Sequence, residues 1–223
     1  MPRTDISFKT YDGVTLRGWF FTPSSVPTGK KLPCIVMTHG LSCIKEMGLS
    51  EVATRFTADL PVTVLVYDHR GFGSSDTGPG QPRQEVITWL QSNDMRDAIT
   101  YAQTREEVDK AQIVLWGYSL SGGEALYVAG MDRRVKAVIA LGPGLSGLEV
   151  VTRQAPPHAV QAMRSLFEMD RLARAEGKEP IRVPVVSNQP GVQSTLPSPE
   201  SWEFFSKYEG NGSSWKNELT LRR

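Results

Sequence analysis

Ile113-Val114-Leu115-Trp116 runs into Gly117-Tyr118-Ser119-Leu120-Ser121-Gly122-Gly123, and then into Glu124-Ala125-Leu126-Tyr127-Val128-Ala129. A short apolar run, a tight turn with serine at its apex and a segment of helical character form the layout of a nucleophile elbow. Small residues two places before and two or three places after Ser119 allow a helix to pass close to a strand. The turn holds the serine hydroxyl clear of the sheet, and the first amides of the helix point towards it, ready to stabilise an anion. Ser121 stands where the motif usually has its second glycine, and serine is small enough to keep the close approach. The competing reading of Ser119 is an ordinary helix N-cap, a role serine fills often.

Outward from this stretch, apolar runs alternate with helix-like segments. Ile6 to Thr10 alternates apolar and polar residues, Asp12-Gly13 makes a turn, and Val14 to Phe21 completes a hairpin. Pro33 to Thr38, Val62 to Tyr67, Ile113 to Trp116 and Val135 to Leu141 read as strands buried on both faces. Helices are expected around 50–60, over 84–105 and after Ser119. This alternation implies a mostly parallel sheet covered by helices on both faces and fronted by an antiparallel hairpin. Ligands of such sheets sit at the carboxyl ends of the strands. His39-Gly40, Asp68-His69-Arg70, Ser119 and Gly142-Pro143-Gly144 all fall there. The alternation stops after residue 144. One or two helices are expected over 147–177, a loop over 180–199, and short helices over 201–208 and 215–221. The division is thus a core over 1–144 and a lid-like helical and loop segment over 145–223.

Bulk properties exclude several classes. A chain of 223 residues suits one domain with a sizeable core. With 25 basic against 24 acidic residues, net charge is +1, which gives no case for nucleic acid or an anionic membrane. No apolar run reaches the length of a membrane span, and the first residues lack the apolar block of a signal peptide. Cys34 and Cys43 have neither metal-ligand spacing nor the density of a disulfide framework. A reducing, cytoplasmic compartment is expected, with no metal and no cofactor. Leu221-Arg222-Arg223 is not a peroxisomal address.

These residues resemble the α/β-hydrolase superfamily over 7–144. The carriers are His39-Gly40-Leu41, the run Tyr67-Asp68-His69-Arg70-Gly71-Phe72-Gly73-Ser74-Ser75, and the elbow. More narrowly, Phe8 to Trp19, Lys45 to Leu49 and Ser214 to Arg222 resemble the fungal polyketide transferase and thiohydrolase branch. The resemblance implies release or transfer of a carrier-bound acyl chain in secondary-metabolite or toxin biosynthesis. A non-catalytic hydrolase-fold protein and a simple carboxylesterase stay open as alternatives.

A serine hydroxyl becomes a nucleophile when a base takes its proton, and the superfamily order is serine, acid, histidine. Ser119 fills the first place. The oxyanion donors are expected to be the backbone amides of Leu120 and Leu41, each worth on the order of 3 kcal/mol in comparable enzymes. Three histidines occur. His39 belongs to the oxyanion turn and is expected to support it. His69 precedes the serine and suits a structural turn. His158 lies in the lid-like stretch and is expected to be either solvent-exposed or satisfied by neighbouring groups, and Glu149 is a weak candidate acid. The resemblance places the acid and the histidine on two further strands after the Trp215 segment. No candidate for either appears before Arg223, so the chain is expected to be cut short, with Val135 to Leu141 left as a sheet edge open to self-association. Met163, Phe167, Met169, Trp202, Phe204 and Phe205 are candidates either for an acyl pocket or for ordinary helix packing.

Overall fold

The computed structural model describes residues 2–25, 29–154, 156–210 and 212–221. Six strands form the main sheet: β1 (Arg3–Lys9), β2 (Thr15–Phe21), β3 (Leu32–Thr38), β4 (Thr63–Tyr67), β5 (Val108–Tyr118) and β6 (Val135–Leu141). Their spatial order is β1-β2-β4-β3-β5-β6. β1 and β2 form the antiparallel hairpin, β2 joins β4 antiparallel, and β4, β3, β5 and β6 run parallel.

β3, β4 and the carboxyl half of β5 are buried from both sides because helices cover both faces, whereas β6, expected to be buried likewise, is half-buried or exposed at the sheet edge. α1 (Leu49–Asp59) packs Leu49 and Ala53 against Trp19, Ile35, Met37, Val64, Val66 and Trp116. On the other face, α2 (Thr88–Thr104) brings Met95, Ala98, Ile99 and Ala102, and α3 (Leu120–Met131) brings Ala125 and Val128. They meet Leu16, Phe20, Cys34, Val36, Leu65 and Leu115. Successive strand residues point to opposite faces, so one run of sequence feeds both cores.

Two expected elements differ from the structure. α2 starts at Thr88 rather than near Gln84. Gln84 sits at φ 58°, donates its amide to Gly71 O at 3.1 Å and accepts from Thr220 N at 3.0 Å. Those bonds to other segments hold it out of a helix. Residues 215–221 are not a helix either. Leu219–Thr220 (β8) pairs antiparallel with Arg182–Val183 (β7). Asn217 Oδ1 accepts from Val185 N and Val186 N, and its Nδ2 donates to Val186 O, each at 3.0 Å. Trp215 is buried.

The remainder of the tail forms α4 (Gly147–Gln154), α5 (Pro157–Ala175) and α6 (Pro199–Phe205) with a short 3₁₀ turn after it. A third apolar cluster joins tail to core. In it Val185, Val186, Phe205, Trp215 and Leu219 meet Cys43, Ile44, Met47 and Phe72. β6 is the outermost strand at its end of the sheet among the described residues, and its side chains are half-buried or exposed.

Candidate active site

β5 ends at Tyr118 and α3 begins at Leu120, leaving Ser119 alone between strand and helix. Its backbone is at φ 55°, ψ −118°. A non-glycine residue there carries strain of about 1–3 kcal/mol and persists only where neighbours over-determine it. They do: Ser119 N donates to Leu141 O at 2.9 Å, and Ser119 O accepts from Gly144 N at 2.9 Å and Gly122 N at 3.0 Å. Glycine is required at two flanking places. A Cβ on Gly117 would lie 2.2 Å from Ser121 O, and one on Gly123 would lie 2.2 Å from Gly144 O. The Ser119 hydroxyl makes no capping bond and no other hydrogen bond among the described residues. The N-cap reading therefore does not describe this side chain.

β3 lies beside β5, and its carboxyl end runs into His39-Gly40-Leu41. The strand order reverses between β3 and β5, the crevice where ligands bind in sheets of this kind. Gly40 passes so close to the elbow that a Cβ would meet the Tyr118 ring at 3.0 Å. Its carbonyl accepts from Cys43 N at 3.2 Å and contacts His39 Nδ1 at 3.1 Å. In a planar trans peptide the Leu41 N–H must point the opposite way from that carbonyl. Neither the Leu41 nor the Leu120 amide donates a hydrogen bond among the described residues. Both residues are half-buried, on the two segments that meet at Ser119.

A buried chain ties these segments together. The Ser121 hydroxyl donates to His39 O and lies 2.8 Å from His69 Nε2, while His69 N donates to His39 Nε2 at 3.2 Å. Because Ser121 has already donated its proton, His69 Nε2 must be the donor to it. Because His39 Nε2 accepts, His39 Nδ1 carries the proton and donates to Gly40 O. Burial holds both imidazoles below their ordinary pKa, His69 well below with help from the neighbouring His39. Both are neutral near pH 7; the His39 ring holds backbone through both nitrogens, whereas the His69 ring holds the Ser121 hydroxyl through Nε2 and its Nδ1 has no partner among the described residues.

The Asp68-His69-Arg70 turn is structural in the same way. Asp68 accepts from Lys45 N at 2.7 Å, Lys45 Nζ at 2.6 Å and Ser74 N at 2.9 Å. Arg70 forks onto Asp94 at 2.7 and 2.5 Å and onto Asp12 at 2.8 and 3.1 Å. Burial raises the Asp94 carboxyl to about 6 although Arg70 opposes the shift.

No imidazole is brought to Ser119 among the described residues. His39 and His69 are engaged as above, and His158 is exposed on α5. Glu149 is exposed on α4, 3.6 Å from Arg153. Of the tail aromatics and methionines, Phe205 is buried and Trp202 packs beside it, while Met163 and Phe167 are half-buried and Met169 and Phe204 are exposed. Among the described residues no cluster of three His, Cys, Asp or Glu is arranged to hold a metal ion. No helix among them is long and apolar enough to cross a membrane. Burial raises both thiols, Cys34 and Cys43, to about 12, and both are unpaired.

Two features escaped sequence reading. Ser121 is a bridge as well as a small residue, and the one available signal was serine in place of glycine. Glu124 is 5% exposed on α3, with neither carboxyl oxygen in a hydrogen bond of ordinary geometry. Burial pushes it up to about 8, eased by the nearby Ser121 hydroxyl. A glutamate within an apolar helix was its signal.

Comparison with known proteins agrees with this geometry. A family described as the alpha/beta hydrolase fold matches residues 36–219. Polyketide transferase grgF of Penicillium sp. is 33% identical over 88% of this chain and 62% of its own length. A thiohydrolase of Eupenicillium brefeldianum is 36% identical over 84% of this chain and 56% of its own length. The chain therefore spans about three fifths of the length of these curated relatives. The crystal structure of the alpha/beta hydrolase GrgF from Penicillium sp. sh18 superposes with a TM-score of 0.78 at 31% identity, covering 99% of this chain and 71% of that one. An elbow strained at its serine, a glycine turn from the adjacent strand and a matched family over most of the sequence lead to one assignment: the chain belongs to the alpha/beta hydrolase fold family.

Proposed function

We propose that this chain carries the nucleophile and the anion-stabilising half of a serine acyl-transfer site. Its substrate class is an acyl chain of polyketide type held as a thioester, the chemistry to which the names of its relatives point. One observation carries the reading. Ser119 is strained into a conformation that only the surrounding bonds sustain, with its hydroxyl unengaged and two unengaged amides, Leu41 and Leu120, on the segments that meet there. In the proposed reaction the Ser119 Oγ attacks the acyl carbonyl and gives its proton to a base. The two amides receive the oxyanion. The thiol leaves with a proton, and water or an alcohol then takes the acyl group from the serine.

The lid-like segment over 145–223 supports an apolar acyl group in this reading, with Met163 and Phe167 half-buried on α5. A carrier domain that presents the acyl chain and a cytoplasmic setting belong to the same proposal. Self-association through β6 is a further part of it. Leu141 O turns inward to Ser119 N, so with the two-residue period of a strand Lys136, Val138 and Ala140 turn their main-chain groups to the open edge.

A second reading has its own support: no described imidazole reaches Ser119, so the chain is a ligand-binding hydrolase fold without turnover. Loss of the base costs a triad enzyme about six orders of magnitude in turnover, by analogy with subtilisin. A fluorophosphonate probe on the purified chain separates the two. Labelling at Ser119 that Ser119→Ala abolishes supports the acyl-transfer site, and no labelling under conditions that label a related hydrolase refutes it. Hydrolysis of short esters without thioesters would move the substrate class to a carboxylesterase.

A further inference from the structure

We infer that Trp215 is a positioning residue for the turn that carries the Leu41 amide. Its indole N–H donates to Ser42 O at 2.9 Å across 173 residues of sequence. This deepens the acyl-transfer reading and rests on it for the catalytic consequence, while the mechanical consequence stands alone.

Ser42 needs holding. It sits at φ 60°, which a non-glycine residue adopts only under constraint, and it is 3% exposed. Its own hydroxyl has no hydrogen-bond partner, so the side chain does not stabilise the turn. The constraint comes from the carbonyl, which the indole N–H grips.

The grip completes a bracket around Leu41. On the core side, Ser121 donates to His39 O. In the middle, Cys43 N closes the turn onto Gly40 O. On the tail side, Trp215 takes Ser42 O. Carbonyls 39, 40 and 42 are thereby all occupied, and the Leu41 N–H between them is left without a partner. Three carbonyls pinned from three directions leave the intervening peptide planes little freedom to rotate.

Trp215 is itself rigid. It is 3% exposed and stacks on Phe205 at 5.5 Å between ring centres. Its amide donates to Ser213 Oγ at 3.1 Å, and two residues on Asn217 clamps Val185 and Val186. The aim of the Leu41 amide thus depends on the docking of residues 180–221 against the core, although no tail residue is needed to touch a reacting atom.

Trp215→Phe keeps an aromatic ring for the stack on Phe205 and deletes the donor. The Cys43 amide, which closes the turn, is expected to exchange its hydrogen about tenfold faster, the scale of one lost hydrogen bond. The Val185 and Val186 amides, held by Asn217, are expected to keep wild-type exchange. Fluorophosphonate labelling of Ser119 is expected to lose about tenfold in its maximal rate, with the half-saturating probe concentration unchanged. Unchanged exchange at Cys43 overturns the inference. So does exchange that rises equally at Cys43, Val185 and Val186, because that marks a general loss of tail stability. If wild-type Ser119 takes no label, the acyl-transfer reading fails while the exchange arm still decides the bracing. Should Trp215→Phe not fold, Phe205→Leu removes the ring that the indole stacks on and leaves Asn217 in place. Faster exchange at Cys43 with Val185 and Val186 unchanged is then expected, and its absence overturns the inference.

Discussion

Glu124→Gln is expected to stabilise the protein at alkaline pH and to lose that advantage as the pH falls. Glu124 lies 5% exposed beneath the elbow, 3.7 Å from His69 Nε2, with no hydrogen bond of ordinary geometry to repay the loss of water. Burial therefore raises its carboxyl from 4.5 to about 8. Below 4.5 the group is protonated in folded and unfolded chains alike, and stability does not respond to it. Between 4.5 and about 8 the unfolded chain has released the proton and the folded chain has kept it. The folded state then binds more protons, so stability falls as pH rises, by about 1.4 kcal/mol per pH unit. Over the whole window the loss is about 5 kcal/mol, comparable with the total stability of many domains. Gln is uncharged throughout and has no such slope.

The opposite linkage comes from His39 and His69, whose lowered pKa values make stability fall as pH drops through the ordinary imidazole range. The unfolded imidazoles are still half-protonated at about pH 6.5, but wild type and Glu124→Gln share that titration, so it cancels in the difference between them over the interval from about pH 6.5 to 8. Urea unfolding of wild type and Glu124→Gln across that interval should give a stability difference that grows in favour of Gln by about 2 kcal/mol. The intercept reports how well an amide fits and is not the test. A difference that stays flat across the interval means that the buried carboxyl is ionised in the folded state, and the reasoning fails.

Arg70→Ala strands the fully buried Asp94, and a loss of about 3–5 kcal/mol is expected in urea unfolding. A loss under about 1 kcal/mol would show that the network is not a stabilising unit. Gly123→Ala and Gly130→Ala form a matched pair on α3. An added Cβ at Gly123 meets backbone at 2.2 Å and should cost about 1–3 kcal/mol. At Gly130 it meets nothing within 4 Å and should gain about 0.5–1 kcal/mol of helix stability. Equal effects at the two sites would remove the steric account of the elbow. Val138→Pro, on the open side of β6, should shift sedimentation towards monomer if that edge drives association. An unchanged distribution assigns association elsewhere.

Sequence alone determined the parts of this protein that depend on local pattern. Buried parallel strands are continuous apolar runs, amphipathic helices repeat at their own period, and a strained turn between strand and helix demands glycines at fixed offsets. The hairpin, the four parallel strands, the helices on both faces and the place of Ser119 follow from those rules. The turn-holding work of His39 and His69 was readable too, because chain order and turn context assign both to the loops after β3 and β4.

Tertiary structure decided what depends on partners distant in sequence. Gln84 has the local character of a helix start, yet bonds to Gly71 and Thr220 hold it in a left-handed conformation. Residues 215–221 have helix-like composition, yet Asn217 and the pairing of β7 with β8 extend them. Ser121 looks merely small until folding sets His39 O and His69 beside it. Trp215 looks like any packing aromatic until its N–H is seen on Ser42 O. A hydrogen bond is set by distance and angle between two groups, and neither is written in the spacing of either group along the chain. The pattern therefore announces the strained turn at Ser119, and only the assembled molecule shows the indole of Trp215 on the carbonyl of Ser42.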